Sequence, residues 1–129
     1  ENKKAMLSNI SNGKALDKLK QLVKNQGGDV SYIENTEKFE KAQYIIPVKS
    51  EEDGIIKSLK AEEIGKISVN LGAGRIRKED KIESNVGIVL EKKIGDIVKK
   101  GEIIAYIHAN NENKAKEAVK KLEEIYVIK

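Results

Sequence analysis

The sequence is poor in the residues from which many functional sites are built. Its 129 residues include no cysteine, no tryptophan, one phenylalanine, one histidine and one proline. Without cysteine, disulfide frameworks and thiolate metal sites are excluded. His108 has no second histidine with which to bind a metal, and no Ser/His/Asp or Cys/His catalytic set can be assembled. We therefore expect His108 to be a surface or partly packed residue.

Long apolar runs and targeting signals are also missing. No stretch approaches the roughly 20 apolar residues that a membrane-spanning helix needs, and no signal-peptide pattern opens the chain. Together with the absence of cysteine, this favours a cytoplasmic protein without a membrane partner. Because the chain begins at Glu1 and not at methionine, we interpret it as a processed product or an excised fragment.

Positive charge is in slight excess and is divided unevenly between lysine and arginine. Lysine and arginine total 25 against 21 acidic residues, a net charge of +4. The excess is spread along the chain, whereas DNA-binding domains concentrate it on one face. Aromatic side chains for base stacking are scarce, so nucleic acid is disfavoured as a partner. Only two of the 25 basic residues are arginines, Arg75 and Arg77, and both lie in residues 71–78 (LGAGRIRK).

The beginning of the chain has a helical pattern. Ser11 is a suitable N-cap for a helix that ends at Gly27-Gly28, where glycine takes the left-handed conformation of a helix C-terminus. The apolar residues of this helix recur with the spacing of one face, at Ala15, Leu16, Leu19, Leu22 and Val23. One helix cannot bury this stripe alone, so we expect it to dock on another element. Residues 28–43 are predicted to be a polar connector.

From residue 44 the pattern changes to short apolar runs typical of strands. Strands are predicted at residues 44–48, 54–59, 86–90, 103–107 and 126–128. Pro47 places the first strand at a sheet edge or bulge. Gly54 is predicted to supply a positive φ to the turn that precedes the second strand.

Two helices are predicted within this β-rich region. Residues 61–71 have helical spacing, and Gly65 among them costs about 1 kcal/mol relative to alanine, which suggests close packing. A last helix begins near Asn111, with Asn111 or Asn110 as its N-cap. Its apolar face is formed by Ala115, Ala118, Val119, Leu122 and Ile125. The sequence thus predicts an α+β fold, with a helical segment and linker at 1–43 and a mostly β domain at 44–129 that has an inserted helix and a C-terminal helix.

The segment Gly95–Glu102 (GDIVKKGE) is predicted to be a turn between two strands. A phosphate-binding P-loop has four residues between its glycines and then Lys-Ser/Thr, whereas five residues separate these glycines. Gly95 and Gly101 are predicted to provide the special backbone angles of the turn. Ile97 and Val98 are predicted to face the core.

The glycines around the two arginines form the one candidate site. Gly72 and Gly74 make half of a dinucleotide fingerprint, but the third glycine is missing and the pair follows a helix instead of a strand. A second interpretation is a helix C-cap followed by a flexible loop. A third is an anion contact, in which the Arg75 and Arg77 guanidiniums and backbone N–H groups hold phosphate or carboxylate. No catalytic residue and no metal ligand is selected by the sequence.

Part of the β-rich region resembles biotinyl and lipoyl carrier domains. Residues 95–107 and 47–55 are similar to the half-repeats of those domains, which are barrel-sandwich hybrids made of two similar halves. Glu40-Lys41-Ala42 is similar to a lipoylation site. However, no first half-repeat lies upstream of Lys41 and no Met-Lys-Met is present. A carrier domain modified at Lys41 is therefore the alternative interpretation.

A second resemblance extends over nearly the whole chain. The matching segments, in order, are residues 11–16 (SNGKAL), 26–30 (QGGDV), 53–54 (DG), 63–65 (EIG), 71–75 (LGAGR), 86–90 (VGIVL), 93–96 (KIGD) and 100–102 (KGE). Their order and spacing resemble the C-terminal part of the pyrimidine-nucleoside phosphorylases, the thymidine phosphorylase family. This resemblance implies that residues 1–43 come from the end of an α/β domain and that residues 44–129 form a barrel-sandwich-like domain with an inserted helix. Residues 83–85 (ESN) depart from the aspartate-containing segment usual before Val-Gly-Ile.

This resemblance implies a function for the parent protein. It implies a cytoplasmic, homodimeric salvage enzyme that converts a pyrimidine nucleoside and phosphate into free base and pentose 1-phosphate. Phosphate is then a co-substrate, and no cofactor is expected. The family's phosphate-binding and base-binding segments lie upstream and have no counterpart here, so this chain is predicted to be inactive alone, with the rest of the parent as its partner. The resemblance places the loop at 72–85, with Gly72, Gly74, Arg75 and Arg77, beside the cleft between two domains.

Overall fold

The computed structural model describes residues 2–129 and divides them into two compact units. The first unit ends at Glu40, and the second is Lys41–Lys129. No described residue of the first unit is buried. The hydrophobic core lies entirely within the second unit.

The first unit consists of short helices. These are α1 (Asn2–Ser11), α2 (Lys14–Asn25), α3 (Ser31–Glu34) and a 3-10 turn (Thr36–Lys38). The last two lie inside the predicted polar connector, which therefore contains helical turns that the sequence analysis missed. Asp29 and Asn35 start these turns, because each side chain accepts a hydrogen bond from the backbone N–H two residues later (2.8 and 3.1 Å).

Ser11 does not cap α2, contrary to the prediction. It is the last residue of α1, and its hydroxyl donates a hydrogen bond to the carbonyl of Ser8 (3.1 Å). Gly13, with a φ of 82°, precedes α2, and the side chain of Asn12 accepts a hydrogen bond from the N–H of Lys14 (3.0 Å). A helix that already occupies residues 2–11 takes Ser11 into its own last turn. The predicted end of α2 is confirmed by Gly27, which has a φ of 77°.

The second unit contains two three-stranded antiparallel sheets. The strands are β1 (Tyr44–Lys49), β2 (Gly54–Ser58), β3 (Gly87–Leu90), β4 (Ile97–Val98), β5 (Ile103–Ala109) and β6 (Val127–Ile128). One sheet has the order β1-β5-β3 and the other the order β4-β2-β6, so the described residues form no closed barrel. Pro47 lies on the edge strand β1, as predicted. The α+β class is confirmed.

Two helices pack with these sheets. Helix α4 (Ala61–Ser68) continues into a π-helical turn (Val69–Ala73), and α5 (Glu112–Ile125) packs against β1 and β5. Asn111 caps α5, since its side-chain oxygen accepts a hydrogen bond from the N–H of Lys114 (3.0 Å). The core side of α5 is formed by Ala115, Ala118 and Leu122. The predicted inserted helix and C-terminal helix are both present.

Three local predictions in the second unit are wrong. Gly54 does not have a positive φ. It opens β2, and an added Cβ would lie 2.8 Å from Cγ2 of Ile128, so close approach of β6 explains this glycine. Gly65 is exposed on α4 with nothing beyond its own helix backbone and chain neighbours within 4 Å of an added Cβ. Ile97 is 70% exposed while Val98 is 1% exposed, because successive residues of a strand face opposite sides.

Candidate functional site

The loop that carries both arginines begins where α4 ends. The π-helical turn after α4 contains Gly72, whose non-helical φ of 118° suits glycine. The Gly72 carbonyl accepts a hydrogen bond from the N–H of Glu83 (2.9 Å), which brings the two stems of the loop together. An added Cβ on Gly72 would lie 3.0 Å from Oε1 of Glu83. We call residues 72–85 the arginine loop.

The tip of the arginine loop is ordered by its own carboxylate. Oδ2 of Asp80 accepts hydrogen bonds from the backbone N–H groups of Ile76 (3.1 Å) and Arg77 (2.8 Å). The N–H of Asp80 donates in turn to the carbonyl of Arg77 (3.1 Å). The carboxylate thus occupies two N–H groups of the kind expected to hold an external anion. An anion at this tip would be held by side chains, unless it displaced Asp80.

The two arginines project from this tip into solvent. Arg75 and Arg77 are exposed, and within residues 2–129 neither forms an ion pair with an acidic residue. Gly72 and Gly74 instead line an open groove of about 260 Å³, together with Ile76, Asp80, Lys81, Glu83 and Lys114 among other residues. The four predicted site residues therefore lie on one loop, with the glycines at its groove and the guanidiniums exposed.

Hydrogen bonds among Asn110, Glu83 and Asn85 fix the second stem of the arginine loop. None of these three is among the predicted site residues. The side-chain amide of Asn110 donates hydrogen bonds to Oε2 of Glu83 (2.5 Å) and to Oδ1 of Asn85 (2.9 Å). Its oxygen accepts a hydrogen bond from the N–H of Gln43 (3.1 Å). Asn85 in turn donates to the carbonyl of Lys41 (3.3 Å). The sequence predicts only a capping role for Asn110, and no local pattern links it to residues 25 and 27 positions earlier.

Polar residues outside the arginine loop serve the fold. The Glu102 carboxylate pairs with Nζ of Lys92 (2.7 Å) and accepts a hydrogen bond from the N–H of Lys99 (2.9 Å). The hydrogen bond with Lys92, and then that with Lys99, hold the pKa of Glu102 below its usual value. Gly95 and Gly101 have φ values of 95° and 83°, as predicted for this turn.

The described residues contain no cluster of side chains suited to hold a metal ion. No group of three or more histidine, aspartate, glutamate or cysteine side chains among them could hold a metal ion. His108 is half-buried on β5, where it is paired with Ile45 and Gly87 of the neighbouring strands. None of the helices in residues 2–129 is long and apolar enough to cross a membrane. The chemistry available at the arginine loop is the binding of an anion by guanidinium groups.

Comparison with known proteins identifies the family. Residues 55–129 match the family described as "Pyrimidine nucleoside phosphorylase C-terminal domain". The chain belongs to this family. It is 50% identical over 115 residues to the pyrimidine-nucleoside phosphorylase of Staphylococcus haemolyticus, 48% identical over 104 residues to that of Bacillus subtilis and 45% identical over 118 residues to that of Staphylococcus aureus.

The chain corresponds to only part of these phosphorylases. The three alignments cover 89%, 81% and 92% of this chain but 26%, 24% and 27% of the relatives. The chain therefore spans about a quarter of the length of the relatives that it matches. The resemblance to pyrimidine-nucleoside phosphorylases is confirmed.

The carrier alternative receives no support from these findings. Lys41 lies between the 3-10 turn and β1, in a segment whose carbonyl is bound by Asn85. It does not lie in a turn between two strands of one hairpin. Residues 47–55 and 95–107 are the segments similar to carrier half-repeats. In this chain they contain the turn before β2 and the turns around β4 of a phosphorylase domain.

Proposed function

We propose that this chain is the C-terminal domain of a pyrimidine-nucleoside phosphorylase and carries no catalytic residue of its own. The parent enzyme converts a pyrimidine nucleoside and phosphate into free base and pentose 1-phosphate. The observation that carries this proposal is the match of residues 55–129 to the phosphorylase C-terminal domain, within a chain that spans about a quarter of its relatives. The remaining three quarters would supply the reaction centre.

The chemistry of phosphorolysis supports the assignment of catalysis elsewhere. The reaction needs a phosphate clamp, a pocket for the base and stabilisation of a cationic sugar. The described part of this chain offers two exposed guanidiniums and a loop carboxylate, Asp80, that is already hydrogen-bonded to backbone N–H groups. These groups do not make a pocket that encloses a nucleoside.

Exposed apolar surface supports a packing role for the domain. On the sheet face opposite to α5, Pro47, Tyr106 and Val89 form one row across β1, β5 and β3. Ile45 and Val89 on this face are exposed. Exposed apolar residues grouped on one sheet face support an interface there. The rest of the parent phosphorylase is the proposed partner.

The arginine loop is proposed to act when the parent binds its substrates. The family resemblance supports a position of this loop beside the interdomain cleft, and its two arginines have no acidic partner within residues 2–129. Substrate phosphate or an acidic group of the helical domain would complete their hydrogen bonding and order the loop. Gly72, Gly74, Arg75 and Arg77 are the residues on which this role depends.

The parent is also proposed to be a cytoplasmic homodimer that binds neither nucleic acid nor membranes. The family resemblance supports the location and the dimer. The even spread of a net charge of +4 supports the absence of a nucleic-acid partner.

The first test is an assay of the 129-residue chain by itself. With thymidine or uridine and phosphate it is expected to release no pentose 1-phosphate, while the full-length parent is active under the same conditions. Release of pentose 1-phosphate by the chain alone would contradict the proposal that catalysis lies elsewhere.

The second test addresses the arginine loop in the full-length parent. Replacing Arg75 and Arg77 by alanine is expected to change the turnover number or the KM for substrate. The variant lacks the guanidinium groups that are proposed to bind phosphate or an acidic group when the cleft closes. Lys120→Ala is the matched control, since this cation is exposed on α5 and does not line the groove at the loop. Equal kinetics for the double variant and the control would leave the loop with a structural role only.

A further inference from the structure

Asn110 is at the centre of hydrogen bonds that connect the second stem of the arginine loop to the end of β5. Asn110 lies between the last residue of β5 and the N-cap of α5. Ala109, which precedes it, and Ala115 in the first turns of α5 are fully buried, so the position of its backbone is set by the core of the domain. A side chain at this position can therefore hold its hydrogen-bond partners in a fixed place relative to the core.

The oxygen and both hydrogens of the Asn110 side-chain amide are hydrogen-bonded. Both hydrogens of its amide have acceptors, one on Glu83 and one on Asn85, while its oxygen accepts from the N–H of Gln43. These partners determine the orientation of the amide, because the reversed amide would place an oxygen against the Glu83 carboxylate. An aspartate at this position would lack both donors, so asparagine is the residue that the network needs.

The Glu83 carboxylate joins this centre to the first stem of the loop. One oxygen is bound by Asn110, and the other would lie 3.0 Å from an added Cβ on Gly72. The N–H of Glu83 is bound by the carbonyl of Gly72. Both stems of the arginine loop are therefore held through Glu83, while the tip has a separate bond set around Asp80.

We propose that Asn110 is the positioning residue of the arginine loop. Through Glu83 and Asn85 it fixes the stems of the loop to the end of β5, so that Arg75 and Arg77 extend from a rigid base. Its effect on turnover in the parent rests on the proposed role of the loop. Its effect on the mobility of the loop does not depend on any activity.

The test is limited digestion of the folded 129-residue chain with trypsin, which cleaves after arginine and lysine. Asn110→Asp is expected to increase cleavage after Arg75 and Arg77 by about tenfold or more, because a charge-assisted hydrogen bond is lost and two carboxylates then face each other. Cleavage after Lys99 and Lys100, in the turn between β4 and β5, is the internal control and is expected to remain unchanged.

A charge exchange separates positioning from general destabilisation. Glu83→Gln alone keeps an acceptor for Asn110 and is expected to change loop cleavage by less than about threefold. Combined with Asn110→Asp, it offers an amide donor to the new carboxylate and is expected to restore most of the protection. If Asn110→Asp does not fold, Glu83→Ala removes the central acceptor and is expected to expose the same two bonds to trypsin.

The outcomes are distinguishable. Unchanged loop cleavage in Asn110→Asp, or in Glu83→Ala where the first variant does not fold, would overturn the proposal, as would an equal rise at the control bonds. In the parent enzyme, Asn110→Asp is expected to reduce kcat/KM no further when Arg75 and Arg77 are already alanine, and additive losses would contradict positioning through the loop. If the arginine variants alone leave kinetics unchanged, the role of the loop in turnover fails while the digestion still decides how the loop is held.

Discussion

Helices α2 and α5 have similar patterns and opposite surroundings. Both are rich in lysine and have an apolar face at helical spacing. The face of α5 is buried, with Ala115, Ala118 and Leu122 at 0%, 4% and 0% exposure, whereas Leu16, Leu19 and Leu22 of α2 are 49%, 46% and 57% exposed. Periodicity therefore predicts that a helical face needs a partner. Periodicity does not show whether that partner is part of the same 129 residues.

The largest expected effect tests whether this difference in burial is a difference in stability. Leu122→Ala is expected to lower the free energy of unfolding by about 2–5 kcal/mol, because it removes a fully buried side chain and leaves a cavity. Leu19→Ala on α2 is the matched control and is expected to change it by less than about 0.5 kcal/mol. Urea unfolding of the 129-residue chain, followed by circular dichroism, measures both. Equal losses would mean that the face of α2 is covered in solution.

The next effect contrasts two glycines of the second unit. Gly54→Ala is expected to destabilise the chain by about 1–3 kcal/mol, since its Cβ would meet Ile128 and backbone atoms of Lys129 at 2.8–3.1 Å. Gly65→Ala is expected to stabilise it by about 0.5–1 kcal/mol, because the site is an open helix interior. The same urea titrations measure both changes. A stabilising Gly54→Ala would show that β6 is not held against β2.

A smaller effect comes from the hydroxyl of Tyr126, which donates to the carbonyls of Lys92 (3.0 Å) and Ile104 (3.3 Å). Burial, and next the charge of Asp96, raise the pKa of Tyr126 to about 12. A pKa that is higher in the folded state means that this stability is complete below about pH 10, the value of unfolded tyrosine, and is lost as the pH rises towards 12.

Tyr126→Phe measures this contribution. The variant is expected to lose about 1 kcal/mol at pH 7 and to show a shallower decline of stability between pH 10 and 12 than the unsubstituted chain. Thermal unfolding of both proteins across this pH range gives the comparison. Parallel pH curves would show that Tyr126 has the same pKa in the folded and unfolded states.

The smallest expected effect on stability concerns the exposed face of α2. Leu19→Gln with Leu22→Gln is expected to change the free energy of unfolding of the chain by less than about 0.5 kcal/mol. It is also expected to reduce self-association, because the exposed apolar stripe is removed. Sedimentation velocity of both proteins at matched concentrations measures the second effect. If the variant and the unsubstituted chain associate equally, the chain self-associates through another surface, such as the outer face of the β1-β5-β3 sheet.

Features governed by neighbours in sequence could be predicted. The cap at Asn111, the edge position of Pro47 and the positive φ values at Gly95 and Gly101 follow from local chemistry, and the structure confirms each of them. Family membership could also be predicted, because it depends on the order and spacing of short segments along the whole chain.

Features governed by distant contacts could not be predicted. The sequence predicts a turn at Gly54, but the need for glycine there comes from Ile128, which is 74 residues away in the chain. Ile97 and Val98 form a two-residue strand, too short for alternation to reveal which side faces the core. At the arginine loop the sequence identifies the unusual residues Arg75 and Arg77, but contacts that hold the loop come from Asn110, between β5 and α5.

The order in which this domain can fold during synthesis follows from the position of β2. It lies between β4 and β6, and Ile55 exchanges two backbone hydrogen bonds with Lys129 (2.8 and 3.1 Å). Strand β2 is therefore synthesised before β6 and Lys129, and its sheet can close only after these have left the ribosome. Until then one edge of β2 remains open to other chains. Protection of that edge during synthesis would matter more for this domain than for one whose sheet is closed by strands adjacent in the chain.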